Sequence, residues 1–207
     1  MHGSNHSAPK QLAAAFLRDF EKLLHQVNLD AIERAFRILR DARDRAAMIY
    51  IAGNGGSAAT ASHWVNDLGK GAKAAGQAPL RVMSLSDNIS WLTALANDEG
   101  YERSFAGQLE NFARPGDVLV VISASGNSPN LMRAVEMARG RGLVTVGLLG
   151  FDGGALKPMV DECLYLPTHK GAYGLVESGH GLLCHILTNC LAADQRETWD
   201  PVARVSL

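Results

Sequence analysis

The feature that most constrains this fold is an apolar run that stops at a glycine cluster and resumes as an alanine-rich segment. Residues 48–51 favour a strand, Gly53, Gly55 and Gly56 interrupt it, and residues 57–68 have helical spacing. Glycines let a backbone approach a ligand closely, and a helix N-terminus presents free N–H groups with a partial positive charge. The loop is therefore a candidate anion site, although the glycine cluster alone fits a plain strand-to-helix turn equally well.

A second stretch has the same order of strand, polar loop and helix. Residues 117–122 read as a buried strand, residues 123–130 contain three serines and a glycine, and residues 131–139 read as a helix. Ligands of open α/β sheets bind beyond the carboxyl ends of the strands, so both loops should open to the same side. Amides from one loop and hydroxyls from the other suit a phosphate. A nucleotide is not favoured, because the glycines lack the P-loop lysine and the GxGxxG spacing.

Strand-like and helical runs alternate along the rest of the chain. This pattern predicts an α/β fold of three layers, with a mostly parallel sheet between helices and right-handed crossovers. The predicted strands are 48–51, 80–85, 117–122, 143–149 and 162–166, and the predicted helices are 11–25, 29–45, 57–68, 89–96, 101–113, 131–139 and 173–191. Two helices precede the first strand, which is more than one sheet face requires.

Length and composition limit the classes of protein that this chain can be. Its 207 residues fit one domain, which we place at 10–207 after a disordered leader at 1–9. A net charge of -1, without a basic cluster, excludes nucleic acid as an expected partner. Without an apolar run of membrane-spanning length or a signal peptide, we expect no membrane partner and a cytoplasmic protein. Three cysteines without metal-ligand spacing predict buried free thiols.

Four side chains have the types and spacing of a divalent metal site. His63 and Asp67 are four residues apart on one helix face, and Glu177 and His185 project within roughly 80° of each other on the last helix. Such a set matches the ligands of zinc or a similar cation. The spacing alone also fits a surface pair or a helix cap. His180, one turn from Glu177, could join the set or face a neighbouring subunit.

Taken together, these motifs resemble the sugar isomerase (SIS) domain family, specifically its phosphoheptose isomerase branch. The resemblance runs from the first helix to about Ala193 and rests on Gly53-Asn54-Gly55-Gly56-Ser57, His63, Ala96-Asn97-Asp98 and the run from Ile122 to Ser128. It implies a flavodoxin-like fold and a homotetramer built partly by the two N-terminal helices. The alternative is that these helices simply cover the sheet. It also implies aldose–ketose isomerisation of sedoheptulose 7-phosphate to D-glycero-D-manno-heptose 7-phosphate through an enediol.

The resemblance also implies roles for individual residues. Glu177, His185 and Asp67 would be catalytic, and together with His63 they would bind the divalent metal, zinc. Asn97 and Asp98 would touch sugar hydroxyls. The phosphate would be held by the backbone of Asn54, Gly55 and Gly56 and by Ser57, Ser123, Ser125 and Ser128, and Ala124 would also bind the substrate.

Two positions depart from the family, whose members carry glutamate and glutamine where this chain has Asp67 and Glu177. We hypothesise that Glu177 is the base and that Asp67 is mainly a ligand or an orienting group. Two carboxylates beside two imidazoles should also bind a divalent metal tightly enough to retain it through purification. Ala124 replaces a threonine, and Gly174-Leu175-Val176 replaces polar residues, so the substrate range could differ.

Two other functions fit the same motifs. One is a non-catalytic SIS protein. Proteins that associate with the bacterial replication initiator are similar to this chain from Ser57 to His63, but they lack an acidic residue at the position of Asp67. The other is a sugar-phosphate sensor, for which the sequence offers no DNA-binding segment. The presence of Asp67, Glu177 and His185 together favours an enzyme.

Overall fold

Five strands form a parallel sheet in the computed structural model, which describes residues 8–73 and 78–194. The sheet order is β2-β1-β3-β4-β5, and each neighbouring pair is parallel. The α/β fold with a parallel sheet is therefore confirmed. The strands are β1 (Met48–Gly53), β2 (Arg81–Ser84), β3 (Val118–Ser123), β4 (Val144–Leu149) and β5 (Glu162–Tyr165).

Helices cover both faces of this sheet, and polar residues mark where several of them begin. The Asn28 side chain accepts hydrogen bonds from the backbone N–H groups of Asp30 and Ala31, and Asn88 caps its helix in the same way. The helices are α1 (Ala8–Leu24), α2 (Leu29–Asp44), α3 (Gly56–Asn66), α4 (Ile89–Asp98), α5 (Ala106–Phe112), α6 (Pro129–Gly140) and α7 (Tyr173–Ala193).

Alternation along the strands divides the interior into two apolar layers. Ile49 and Ile51 of β1 face a layer formed with α2, α3 and α7, whereas Tyr50 and Ala52 face a layer formed with α5 and α6. Successive strand side chains point to opposite faces, so one strand supplies both layers. The predicted three-layer sandwich is confirmed.

Several element boundaries differ from the predictions. Helix α1 begins at Ala8, inside the predicted leader, because Pro9 is tolerated in a first helical turn. The helix predicted at 101–113 is a 3-10 turn, Tyr101–Arg103, followed by α5. Ser104 and Phe105 between them are fully buried, so packing rather than helical periodicity sets the backbone there.

The helix after the glycines and the second strand also differ from their predicted bounds. Helix α3 ends at Asn66 and continues as a π-helical turn, Asp67–Gly71, in which the N–H of Ala72 donates to the carbonyl of Asp67. Strand β2 is shorter than the predicted 80–85. Residues 1–7 and 195–207 of the predicted leader and domain lie outside the described residues, and the single-domain assignment stays a prediction.

The cysteines are free, as predicted, but only Cys184 is fully buried. Cys163 and Cys190 are half-buried, and burial raises the pKa of Cys163 to about 11. Across 8–73 and 78–194, the helices are too short or too polar to cross a membrane.

Candidate active site

The candidate site lies where the order of the strands reverses. Strands β1 and β3 are neighbours at the centre of the sheet, and Gly53 pairs in register with Ile122. The chain leaves β1 towards β2 on one side and leaves β3 towards β4 on the other, which creates the crevice where open α/β sheets bind ligands. The glycine loop after β1 and the serine loop after β3 therefore lie side by side, as predicted.

Between these loops is a cavity of about 190 Å³. It collects most of the predicted phosphate-binding residues together with one of the predicted catalytic residues, Glu177. Asn97 and Asp98 do not line it, because they are exposed at the end of α4 and hydrogen-bond to each other. Their contact with sugar hydroxyls stays a prediction. The lining residues are Asn54, Ser57, Ile122, Ser123, Ala124, Ser125, Ser128, Tyr173 and Glu177.

A hydrogen bond within the serine loop and a close backbone contact hold this loop in place. The Ser123 hydroxyl oxygen accepts a hydrogen bond from the N–H of Gly126 at 3.0 Å. Gly126 has a positive φ of 64°, and a methyl group on its Cα would lie 1.9 Å from the carbonyl oxygen of Gly153. Only glycine fits this backbone and this close approach. The turn at residues 151–154 therefore packs directly against the serine loop.

The end of the serine loop is suited to an anion. Ser128 occupies the N-cap position of α6, yet its side chain does not cap the helix. Its hydroxyl is thus left for a ligand at a helix N-terminus, where the partial positive charge favours an anion.

Glu177 lies directly against the glycine loop. A methyl group on Gly56 would be 2.5 Å from Glu177 Oε1 and 2.7 Å from its Cδ, so a side chain at Gly56 would displace this carboxylate. Gly56 is the first residue of α3, and the carboxylate therefore sits at a helix N-terminus, which stabilises negative charge. The carboxylate of Glu177 therefore lies in the cavity between the glycine loop and the serine loop.

A second group of side chains meets between α3 and α7. His63 Nε2 and His185 Nε2 are 3.0 Å apart, and Asp67 Oδ2 lies 3.2 Å from the first and 3.5 Å from the second. Zinc–ligand bonds of 2.0–2.1 Å in a tetrahedron give ligand-to-ligand edges of about 3.3 Å. The three donors therefore fit one face of a divalent metal site. Glu177, the fourth predicted ligand, is outside this three-residue group.

Packing of α3 on α7 brings these donors together. The buried Trp64, next to His63, donates from Nε1 to the Thr188 hydroxyl at 3.2 Å, and that hydroxyl donates to the carbonyl of Cys184 at 2.8 Å. His185 lies between these two α7 residues. The helices that carry the donors are therefore locked together even though the imidazoles themselves are half-exposed.

Two residues that the sequence analysis did not assign also lie at or beside the cavity. Asn130 hydrogen-bonds to Asn54, and Tyr173 lines the cavity one helical turn before Glu177. The four-residue spacing from Tyr173 to Glu177 was a usable signal. His180 does not join the metal donors, because its side chain is buried away from them, and this burial lowers the pKa of its imidazole to about 4.

Comparison with known proteins fits this geometry. The family model of the SIS domain matches residues 15–150. The chain belongs to the SIS domain family. Within that family it is 37% identical over 172 residues to a phosphoheptose isomerase of Trichlorobacter lovleyi, covering 83% of this chain and 86% of the relative. It is 38% identical over 162 residues to a phosphoheptose isomerase of Helicobacter pylori strain P12, covering 78% of this chain and 83% of the relative.

A solved structure supports the same placement for this SIS chain. The phosphoheptose isomerase of Neisseria gonorrhoeae superposes with a TM-score of 0.81 at 29% identity, covering 90% of this chain and 99% of that one. The similarity therefore extends over nearly the whole of both chains, and the chain belongs to the phosphoheptose isomerase branch.

Proposed function

We propose that this chain interconverts sedoheptulose 7-phosphate and D-glycero-D-manno-heptose 7-phosphate. The phosphoheptose isomerases described above match this chain over most of its length and of their own. The observation that carries the proposal is the shared cavity, in which a carboxylate, Glu177, faces hydroxyl groups at the ends of two parallel strands. A phosphate anchor and a base in one cavity are what an aldose–ketose isomerase of a sugar phosphate needs.

The serine loop and the α6 N-terminus would hold the phosphate. Ser123, Ser125 and Ser128 line this end of the cavity, and Ser57 lines it from the glycine loop. Hydroxyls and backbone amides of this kind bind a phosphate without a lysine. The phosphate then fixes the position of the sugar chain relative to Glu177.

Glu177 would be the base. Its carboxylate removes a proton from C1 of the ketose, which gives an enediol, and returns the proton to C2 to form the aldose. The accompanying hydroxyl proton passes from the oxygen on C1 to the oxygen on C2, so no proton is gained or lost overall. His185 would contribute to catalysis as a ligand of the divalent cation proposed below, because its Nε2 cannot hold the cation and carry a proton at once.

His63, Asp67 and His185 would hold a divalent cation, which we propose is zinc. Their donor atoms lie within 4.8 Å of one another and form an open three-ligand set, as in catalytic zinc sites. A cation bound there supplies polarisation of the substrate carbonyl. Asp67 would then act mainly as a ligand, which leaves Glu177 as the base and supports the division of roles hypothesised from the two departures.

We also propose a cytoplasmic homotetramer that acts on a small phosphosugar. Helix α1 and the start of α2 expose large apolar side chains, among them Leu12, Leu17 and Leu29. Apolar surface of this kind on N-terminal helices supports their proposed role in subunit contacts.

Turnover of the purified protein on a panel of ketose phosphates, sedoheptulose 7-phosphate first, tests the proposal. We expect isomerisation of that substrate, loss of activity with a chelator, and a divalent metal by elemental analysis before any is added. Absence of turnover across the panel, with phosphosugar binding still visible as a melting shift, would instead support a non-catalytic SIS protein. Absence of metal and no effect of chelator would contradict the proposed cation.

A further inference from the structure

The glycine loop and the serine loop are joined by a reciprocal pair of amide hydrogen bonds. Asn54 Nδ2 donates to Asn130 Oδ1 at 2.9 Å, and Asn130 Nδ2 donates to Asn54 Oδ1 at 2.9 Å. Asn54 lies in the glycine loop, and Asn130 is the second residue of α6, which follows the serine loop. We call this pair the amide bridge.

Neighbouring groups hold both sides of the amide bridge in place. Asn130 is buried, its Oδ1 also accepts from the N–H of Leu131 at 3.0 Å, and its Nδ2 also donates to the Ser104 hydroxyl at 3.2 Å. Tyr101 donates its hydroxyl to Asn54 Oδ1 at 2.8 Å. The side-chain oxygen of Asn54 therefore already has two donors and is engaged by the protein itself.

The location of the amide bridge gives it a consequence for catalysis. Three of the four hydroxyls that would hold the phosphate follow β3, in the serine loop, whereas Glu177 lies against Gly56 in the glycine loop. The separation of the two loops thus sets the distance from the bound phosphate to the base. A displacement of about 1 Å between reacting groups can lower a rate on the order of 100-fold.

We propose that Asn130 is a positioning residue for the isomerisation, acting through Asn54 to fix the glycine loop relative to the serine loop. The catalytic part of this proposal rests on the proposed function. Asn130 does not line the cavity, so it touches neither the phosphate nor the sugar. Its effect should fall on turnover rather than on substrate binding.

Kinetics of Asn130→Ala test this assignment. We expect kcat to fall about 10- to 100-fold with KM changed by less than about threefold, because the phosphate contacts remain while the base is displaced. Asn54→Ala should give a similar loss, and the double variant should lose less than about twofold more, since one bridge cannot be broken twice. Tyr101→Phe, which removes a single donor, should give a smaller loss in the same direction.

Thr145→Val provides a matched control for lost buried hydrogen bonds. Thr145 is fully buried at the amino end of β4, donates to Asp161 Oδ2 at 2.7 Å and accepts from the N–H of Asp161 at 3.0 Å. It should lower the melting temperature without changing kcat. If Asn130→Ala behaves in the same way, or if its loss appears in KM with kcat unchanged, the positioning role is wrong.

Hydrogen exchange separates this proposal from the proposed function. Amides of residues 54–57 should exchange faster in Asn130→Ala and in Asn54→Ala than in the wild type and in Thr145→Val. Unchanged exchange there would overturn the amide bridge whatever the enzyme turns over. Faster exchange in a protein with no turnover of sedoheptulose 7-phosphate would keep the bridge and overturn the proposed reaction.

Discussion

In the glycine and serine loops and at the start of α6, Ser57, Ser123 and Asn130 are each less than a tenth exposed, whereas in the three-residue group between α3 and α7 the side chains of His63 and His185 are 52% and 55% exposed. The first group is fixed by loop backbone, close glycine contacts and the amide bridge. The second depends on helix packing beneath the imidazoles, at Trp64 and Thr188.

This difference divides the work of the site. Buried residues that are held by loop backbone and by the amide bridge need little reorganisation when a ligand binds, so the fold itself prepares this part of the proposed site. The exposed imidazoles of His63 and His185 converge on Asp67, and what orients them is the packing of α3 on α7 beneath them. Glu177 lies between the two groups, because it shares the cavity with the serines but sits on the same helix as His185.

The largest expected effect comes from removing the charge of Glu177. Glu177→Gln keeps the shape and abolishes the base, so kcat should fall about 10²- to 10⁴-fold. Asp67→Asn should lose less activity when the divalent metal is saturating, because its proposed role is as a ligand. Steady-state kinetics with added metal compare the two variants.

Glu136→Gln is the matched control, since Glu136 is exposed on α6 and pairs with Arg133. It should leave kcat unchanged. Near-normal turnover in Glu177→Gln together with complete loss in Asp67→Asn would reverse the assignment, making Asp67 the base and Glu177 dispensable.

The fold could be predicted from local patterns because its signals are local. The runs at 48–51 and 118–122 are apolar without interruption, as expected of strands covered on both faces, and each stops at a loop. The boundary errors at 101–113 and after Asn66 arise where tertiary contacts override periodicity, through the buried Ser104 and Phe105 and through the π-helical turn.

The site could be predicted only in part, for a related reason. The serine and glycine loops follow adjacent strands, so topology alone brings them together. The pairing of Asn54 with Asn130, 76 residues apart in sequence, has no local signal. Nor does the separation of Glu177 from the His63 group, because helical spacing gives directions around an axis and not distances between helices.

A smaller effect is expected when Gly56 is given a side chain. Gly56→Ala would place a methyl group 2.5 Å from Glu177 Oε1, and the carboxylate must move because the loop backbone does not. We expect kcat to fall about 10- to 100-fold while phosphate affinity is kept. Kinetics combined with the melting shift produced by inorganic phosphate measure both quantities.

Gly140→Ala is the control for this substitution, since nothing lies within 4 Å of an added methyl group at that helix end. It should leave kcat unchanged. If Gly56→Ala is equally silent, the close approach of Glu177 to the glycine loop does not matter for turnover.

The smallest effect concerns the histidine of α7 that faces the interior. Burial lowers the pKa of His180 to about 4, below the ordinary value of 6.5, so the folded protein keeps it neutral. Between pH 6.5 and 4 the unfolded chain binds more protons at this residue, and the free energy of unfolding falls as the pH falls. Between pH 7.5 and pH 5 this histidine should therefore lower the free energy of unfolding by about 2 kcal/mol.

Urea unfolding of the wild type and of His180→Met at both pH values isolates this contribution. The variant keeps an apolar side chain of similar length in the interior, so its stability should fall with pH by about 2 kcal/mol less than that of the wild type. Equal slopes for the wild type and His180→Met would mean that solvent reaches His180 and that burial does not keep its imidazole neutral.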